Sequence, residues 1–235
     1  DSIHAVNTGS SSAWSMVVGD ADNNGKRDVA VGFNGSAKLV KANSNLSAFT
    51  LTTLPKSNFF LQNMNFADID QNGWLDIWGC NDNALSAMWG NDGTGSYPDT
   101  TQFFSPATTP ASDNSGNYGT IWTDFDNDGD IDMYVAHCRQ SVNSPTDPRR
   151  IDQLFVNDGT NHYYDDVNGV YGLRDGGQTW TASFEDIDND GDLDLILTDY
   201  DVPARLLEND GAGHYTEITN GSGFSLDIMP IESKM

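Results

Sequence analysis

Apolar and polar residues alternate in short runs along this chain, and the runs recur. Two and four positions before Asp20, Asp68, Asp124 and Asp186 stand Val18 and Met16, Phe66 and Met64, Trp122 and Thr120, and Phe184 and Ala182. Six positions before them stand Trp14, Gln62, Tyr118 and Trp180. A period of two places such residues on one face of an extended strand. Downstream, the segments Val29–Val31, Ile77–Trp78, Met133–Val135 and Leu195–Leu197 are more continuously apolar. That pattern predicts a second strand buried on both faces. Asn-Asp-Gly triplets begin at Asn91, Asn157 and Asn209, with a worn version at Asn43. These residues tolerate positive φ and signal hairpin turns. Six residues beyond each Asn is an aromatic, Phe49, Tyr97, Tyr163 or Tyr215, predicted to lie on a fourth strand.

The same order is read four times. Between the first two strands of each unit lies an acidic segment, Asp20–Asp28, Asp68–Asp76, Asp124–Asp132 or Asp186–Asp194, each of the form D-x-D-x-[ND]-G-x-x-D. From its first Asp to the hairpin Asn is 23 residues in units one, two and four and 33 in unit three. Four antiparallel strands repeated at spacings of 48, 56 and 62 residues predict an all-β chain of β-propeller blades. The expected organisation is one propeller domain, or part of one, over 1–235. Its repeats lie at roughly 9–56, 57–110, 111–174 and 175–228, and 229–235 starts a further blade.

Composition sharpens this picture. Of 35 acidic residues, 31 are Asp and only 4 are Glu, against 11 basic residues, for a net charge of -24. Asp suits turns, caps and metals, whereas Glu suits helix surfaces. Such a charge argues against nucleic acid, which needs a basic face, and against anionic membrane surfaces. Apolar runs of only a few residues predict no membrane insertion. Cys80 and Cys138 are too few for a disulfide scaffold and are expected to be small buried residues, although they could pair.

Numbering each acidic segment from its first Asp, carboxylates at positions 1, 3, 5 and 9 with Gly at 6 match hard-cation coordination, and position 7 can offer its carbonyl. The candidate ligands are Asp20, Asp22, Asn24, Lys26 and Asp28; Asp68, Asp70, Asn72, Trp74 and Asp76; Asp124, Asp126, Asp128, Asp130 and Asp132; and Asp186, Asp188, Asp190, Asp192 and Asp194. Segments one and two carry Asn at position 5, so each has three Asp in the motif positions, where three and four have four. So many carboxylates in nine residues repel one another unless a cation sits among them. Up to four Ca²⁺ are predicted, as structural staples at the bend between two strands; Mg²⁺ demands tighter octahedral geometry. An EF-hand is excluded, because position 12 is Val31, Gly79, Val135 or Leu197 and the flanks are strands.

These segments resemble the FG-GAP/VCBS repeats of integrin α-chain propellers and of many secreted bacterial proteins. The stretches before Asn157 and Asn209 look most like the bacterial and cartilage-acidic-protein branch. The resemblance implies a propeller whose calcium loops join the first two strands of each blade on one face. It also implies an extracellular setting, secreted or on the cell surface. Repeat one departs from the pattern, with Arg27 where the others have Leu or Ile. The apolar positions near Met235 and the segment Asp1–Thr8 read as parts of neighbouring blades, so the chain is expected to be a fragment of a larger, for example seven-bladed, propeller. The rival is a closed four-bladed ring.

Ligand-binding candidates lie on the face opposite the acidic loops. Ten extra residues in repeat three hold Arg139, Arg149 and Arg150, which either meet a ligand or pair with surplus Asp. Trp14, Tyr118 and Trp180 share one register there, and either stack on sugar rings or fill the core between blades. Catalytic signals are thin, with His137 beside Arg139 as the one lyase-like pair, and no catalytic residue is assigned. The expected function is therefore a calcium-stabilised binding module for a glycan or an extracellular protein, as in adhesins and lectins. The alternatives are the scaffold domain of a polysaccharide-degrading lyase or hydrolase, and a purely structural repeat.

Overall fold

A computed structural model of the chain describes residues 12–101 and 116–223. The expectations for the segments at 1–8 and 229–235 fall outside the described residues. The chain divides into two compact units, 1–106 and 107–235. Each holds two antiparallel sheets in simple up-and-down order, the arrangement of propeller blades.

In the first unit, β1 (Ala13–Gly19), β2 (Asp28–Phe33), β3 (Ala37–Ala42) and β4 (Phe49–Thr53) form one sheet, and β5 (Leu61–Ala67), β6 (Asp76–Asn81) and β7 (Ala87–Trp89) form the next. In the second unit, β8 (Asn117–Thr123), β9 (Asp132–His137), β10 (Gln153–Asn157) and β11 (Tyr163–Asp165) form one sheet, and β12 (Thr179–Glu185), β13 (Asp194–Asp199), β14 (Arg205–Asn209) and β15 (Tyr215–Glu217) form the other. β5 packs against β1 and β2, and β12 against β8 and β9. The apolar faces so closed form two cores, one around Leu39, Ile77 and Trp89 and one around Phe125, Tyr134 and Leu195. Each such side chain contributes about 1.5–3 kcal/mol by leaving water.

Three details differ from the expected pattern. The fourth strand of the second sheet shrinks to a single bridge between Trp89 and Asp99. Gly90 donates its N–H to the Pro98 carbonyl, but Pro98 has no N–H to return, so the ladder cannot continue. In the first sheet the structural counterpart of the hairpin Asn is Ala42, one residue before Asn43. Ala42 N–H reaches Asp28 Oδ1 as Asn91 N–H reaches Asp76, and Ala42 pairs with Phe49. The third difference is a β-bulge at the same place in the first strand of all four sheets. The register shifts between Ala13 and Ser15, Leu61 and Asn63, Asn117 and Gly119, and Thr179 and Thr181. The residues the register skips are Trp14, Gln62, Tyr118 and Trp180, so these leave the period-two face on which the simple alternation placed them. Bulges re-aim side chains in this way.

A polar cluster ties the two sheets of the second unit together. Asp152, fully buried, accepts the hydroxyl of Tyr134 (2.7 Å) and the N–H of His137 (2.7 Å) and lies 2.6 Å from the Thr179 hydroxyl. Thr179 also lies 2.9 Å from Asp199, which Arg205 meets at 2.9 Å while its other nitrogens grip Asp175. Cys80 and Cys138 are both buried thiols.

Candidate metal centres

The four acidic loops are built alike. In each, a seven-residue strand runs into the loop and position 9 is the first residue of the next strand. Position 1 caps the bend. Asp20, Asp68, Asp124 and Asp186 each accept the N–H of position 5 with one oxygen and of Gly at position 6 with the other, at 2.7–3.2 Å. The position-5 oxygen then accepts the N–H of position 7 at 2.9–3.0 Å. This stacks successive Asx turns, which is why Asp and Asn recur every second residue. Position 4 takes positive φ in every loop, at Asn23, Gln71, Asn127 and Asn189.

Position 9 is buried in all four, at Asp28, Asp76, Asp132 and Asp194. One oxygen accepts the N–H of position 2 and the other accepts an N–H at the end of the third strand, from Ala42, Asn157 or Asn209, or two residues past it, from Asn91. The carboxylate thus pins the acidic loop to the hairpin. Position 7 turns its side chain toward that hairpin. Trp74, Asp130 and Asp192 lie so close to Gly93, Gly159 and Gly211 that a Cβ there would sit within 3.0 Å of them. Those glycines also hold φ of 77° to 79°, so the third place of the triplet is closed to other residues on both counts.

Carboxylate oxygens of Asp20, Asp22 and Asp28, of Asp68, Asp70 and Asp76, and of Asp124, Asp126 and Asp132 converge, all within 4.8 Å of one another in each trio. In the fourth loop the converging residues are Asp186, Asp188 and Asp190, while Asp194 stays on its backbone partners. A Ca²⁺ ion 2.3–2.6 Å from each oxygen fits such a separation. Two buried oxygens support the fit further: Oδ1 of Asp22 and of Asp126 has no hydrogen-bond donor, although each faces a cluster of acids. A cation would supply the missing partner. The local electrostatics point the same way. Burial, reinforced by neighbouring acids and opposed by the two N–H donors, raises Asp132 to about 8 and Asp76 to about 6. Asp28, Asp70 and Asp126 are raised as well, burial leading in each. These groups are held in a geometry that favours a proton or a metal over a bare charge.

The position-5 residues differ in kind. Asn24 Nδ2 donates to the Ala42 carbonyl and Asn72 Nδ2 to the Asn91 carbonyl, at 2.8 and 2.9 Å. Asp128 and Asp190 cannot donate so, and bring a further negative charge instead.

The other expected site residues lie away from these loops. Tyr118 and Trp180 stack with ring centroids 6.2 Å apart and planes at 14°, and Tyr200 packs on Trp180 at 5.5 Å. Trp14 stands in the other unit, edge-on to Phe60. Arg149 forms a bidentate pair with Asp147. Arg150, 5% exposed, donates to the carbonyls of Val142 and Gly176 and meets Asp201 at 2.6 Å. It clasps the insertion to the neighbouring sheet. Arg139 is half-buried, and His137 is buried. Tyr200 had no mark in the sequence, since it follows β13 outside the repeated register.

Comparison with solved structures places this architecture among known folds. A lectin of Agrocybe aegerita that recognises non-reducing terminal N-acetylglucosamine superposes with a TM-score of 0.51 at 17% identity, over 86% of this chain and 50% of that one. The Photorhabdus luminescens Tc holotoxin pore gives 0.47 at 17% identity, over 86% of this chain and 9% of that one. The chain thus spans half the length of the first and a small part of the second. No curated protein matches it. The family model of the FG-GAP-like repeat matches residues 68–135 and 124–197, which begin at the second and third acidic loops and together take in more than half the sequence. This chain belongs to the FG-GAP-like repeat family.

Proposed function

We propose that this chain is a secreted or cell-surface β-propeller module, stapled by Ca²⁺ at its acidic loops, that binds a glycan. The observation that carries the glycan reading is the row of rings Tyr118, Trp180 and Tyr200. Tyr118 and Trp180 are bulge residues at the strand ends opposite the acidic loops, and Tyr200 is 39% exposed. Flat aromatic faces on a rigid sheet, with the half-buried Arg139 on the neighbouring loop, suit the apolar face and hydroxyl rim of a sugar ring. Millimolar extracellular calcium fills even weak oxygen-ligand sites, which favours that compartment. The fold neighbour that is a lectin makes terminal N-acetylglucosamine a natural member of the first panel.

The test is a glycan and polysaccharide panel, read for binding and for chain shortening, with calcium and with chelator. Saturable binding is expected, weakened roughly two- to thirteenfold by Trp180→Ala, because one stacked ring supplies about 0.5–1.5 kcal/mol. Equal binding by Trp180→Ala would move the site elsewhere, and shortening of the polymer would make the module part of an enzyme.

The face of β1 supports a further blade of a longer parent chain. Met16 and Val18 are 63% and 52% exposed, whereas their counterparts in β5, Met64 and Phe66, are covered as β5 packs on β1 and β2. Peroxide should oxidise Met16 quickly in this chain and slowly in the parent. Equal rates by mass spectrometry would count against a blade there.

A further inference from the structure

Within each unit, the buried carboxylates of the two acidic loops are joined by an unbroken run of hydrogen bonds. In the first unit Asp28 accepts the N–H of Ala21 (2.9 Å), and the Ala21 carbonyl accepts Asn91 Nδ2 (2.8 Å) and the Tyr97 hydroxyl (2.9 Å). Asn91 N–H in turn donates to Asp76 (2.7 Å). The second unit repeats this with other residues. Asp132 accepts the N–H of Phe125 (3.4 Å), the Phe125 carbonyl accepts Asn209 Nδ2 (3.0 Å), and Asn209 N–H donates to Asp194 (3.0 Å), while the Tyr215 hydroxyl gives its hydrogen to the Leu193 carbonyl (2.6 Å). A second link runs beside each: Asn23 Nδ2 to the Gly73 carbonyl (3.2 Å), and Asn127 Nδ2 to Asp192 Oδ1 (2.7 Å).

We propose that cation binding is coupled in pairs, loop one with loop two and loop three with loop four, and that Asn91 and Asn209 are the residues that transmit it. The proposal rests on the reading that these loops bind Ca²⁺. A cation at one loop fixes its position-9 carboxylate and, through it, the N–H of position 2. The peptide groups on either side of position 2 are planar, and they are held from both ends once that residue's carbonyl is gripped by the Asn amide. The same Asn positions the partner loop's position-9 carboxylate through its own N–H. Ordering done for the first ion need not be repeated for the second, so affinity rises for the second ion, and the effect is reciprocal. In the two units the Asn side chain and N–H make the same bonds between the same motif positions, with Ala21 in one and Phe125 in the other as the intervening residue.

The test is a calcium titration of the full chain followed by the backbone amide resonances of Gly129 and Gly191, whose N–H groups bond the position-1 carboxylates of loops three and four. Asp126→Asn weakens loop three. The expected result is that the Gly191 midpoint then moves to about fivefold higher calcium or more, and that this shift disappears when Asn209→Ala is added. Asn209→Asp keeps the oxygen that accepts the N–H groups of Gly211 and Gly213 and its own N–H to Asp194 but loses the Nδ2 donor, so it serves if Asn209→Ala fails to fold. An unchanged Gly191 midpoint in Asp126→Asn overturns the coupling while leaving cation binding intact. No midpoint at either glycine overturns both.

Discussion

Chelator is expected to lower the melting temperature of this protein, and to lower it more at pH 8 than at pH 5. At a calcium concentration about a hundredfold above the dissociation constant, each site adds about 2.7 kcal/mol to the folded state. For a domain of this size that is roughly 5–10 °C per occupied site, at about 2–4 °C per kcal/mol. The pH dependence follows from Asp132 and Asp76. Without metal, burial holds their folded pKa values at about 8 and about 6, above the ordinary 3.8. The folded chain then keeps protons that the unfolded chain releases. Its stability is fully present below about pH 4 and is lost as pH rises through 6 and 8. Calcium replaces those protons, so the gap between the two melting curves widens with pH. Calorimetry with and without chelator at pH 5, 6.5 and 8 measures it. Identical curves at pH 8 would mean that the loops are hydrogen-bonded turns and nothing more.

Replacing Arg205 by Met is expected to cost about 3–5 kcal/mol, the penalty for removing one partner of a buried ion pair. Asp199 is fully buried, and burial pushes its pKa up against the pull of Arg205. Without the guanidinium, Asp199 and Asp175 face each other with no positive charge between them. Asp199→Asn in the same background should restore part of the loss, because the stranded charge is then gone. Denaturant unfolding of the single and double variants provides the comparison. A single variant within about 1 kcal/mol of the parent would show that the cluster is wet and contributes little.

How much of this was readable beforehand divides along physical lines. The acidic loops were plain because their ligands lie within nine residues, and a turn built from consecutive Asx bonds keeps its spacing in the sequence. The hairpin Asn and the aromatic six residues on were visible as markers, but their role was not. Asn91, Tyr97 and Asn209 act on carbonyls of the preceding sheet, 70 to 84 residues away, and no local pattern records that. The bulge was hidden because an aromatic six residues before the loop fits strict alternation as well as it fits a skipped register. Pro98 was legible in principle, since a residue with no N–H cannot continue a ladder. Ala42 carries no signal of its own, because the first hairpin is one residue longer and Asn43 fits the spacing of the other units. The insertion's arginines were visible as charges, but only the fold shows that Arg149 and Arg150 spend theirs on Asp147 and Asp201.

The hydroxyl of Thr179 carries one hydrogen, yet two carboxyl groups stand at bonding distance from its oxygen, Asp152 at 2.6 Å and Asp199 at 2.9 Å. It can donate to only one of them. Asp199 is the natural anion, because Arg205 sits against it. Asp152 must then donate, and the second contact is an acid O–H reaching the threonine oxygen. Burial, which raises the Asp152 pKa well above the carboxylate range, agrees with that assignment. At neutral pH Asp152 is therefore a carboxylic acid at the join between two sheets, and it takes one negative charge off the formal count.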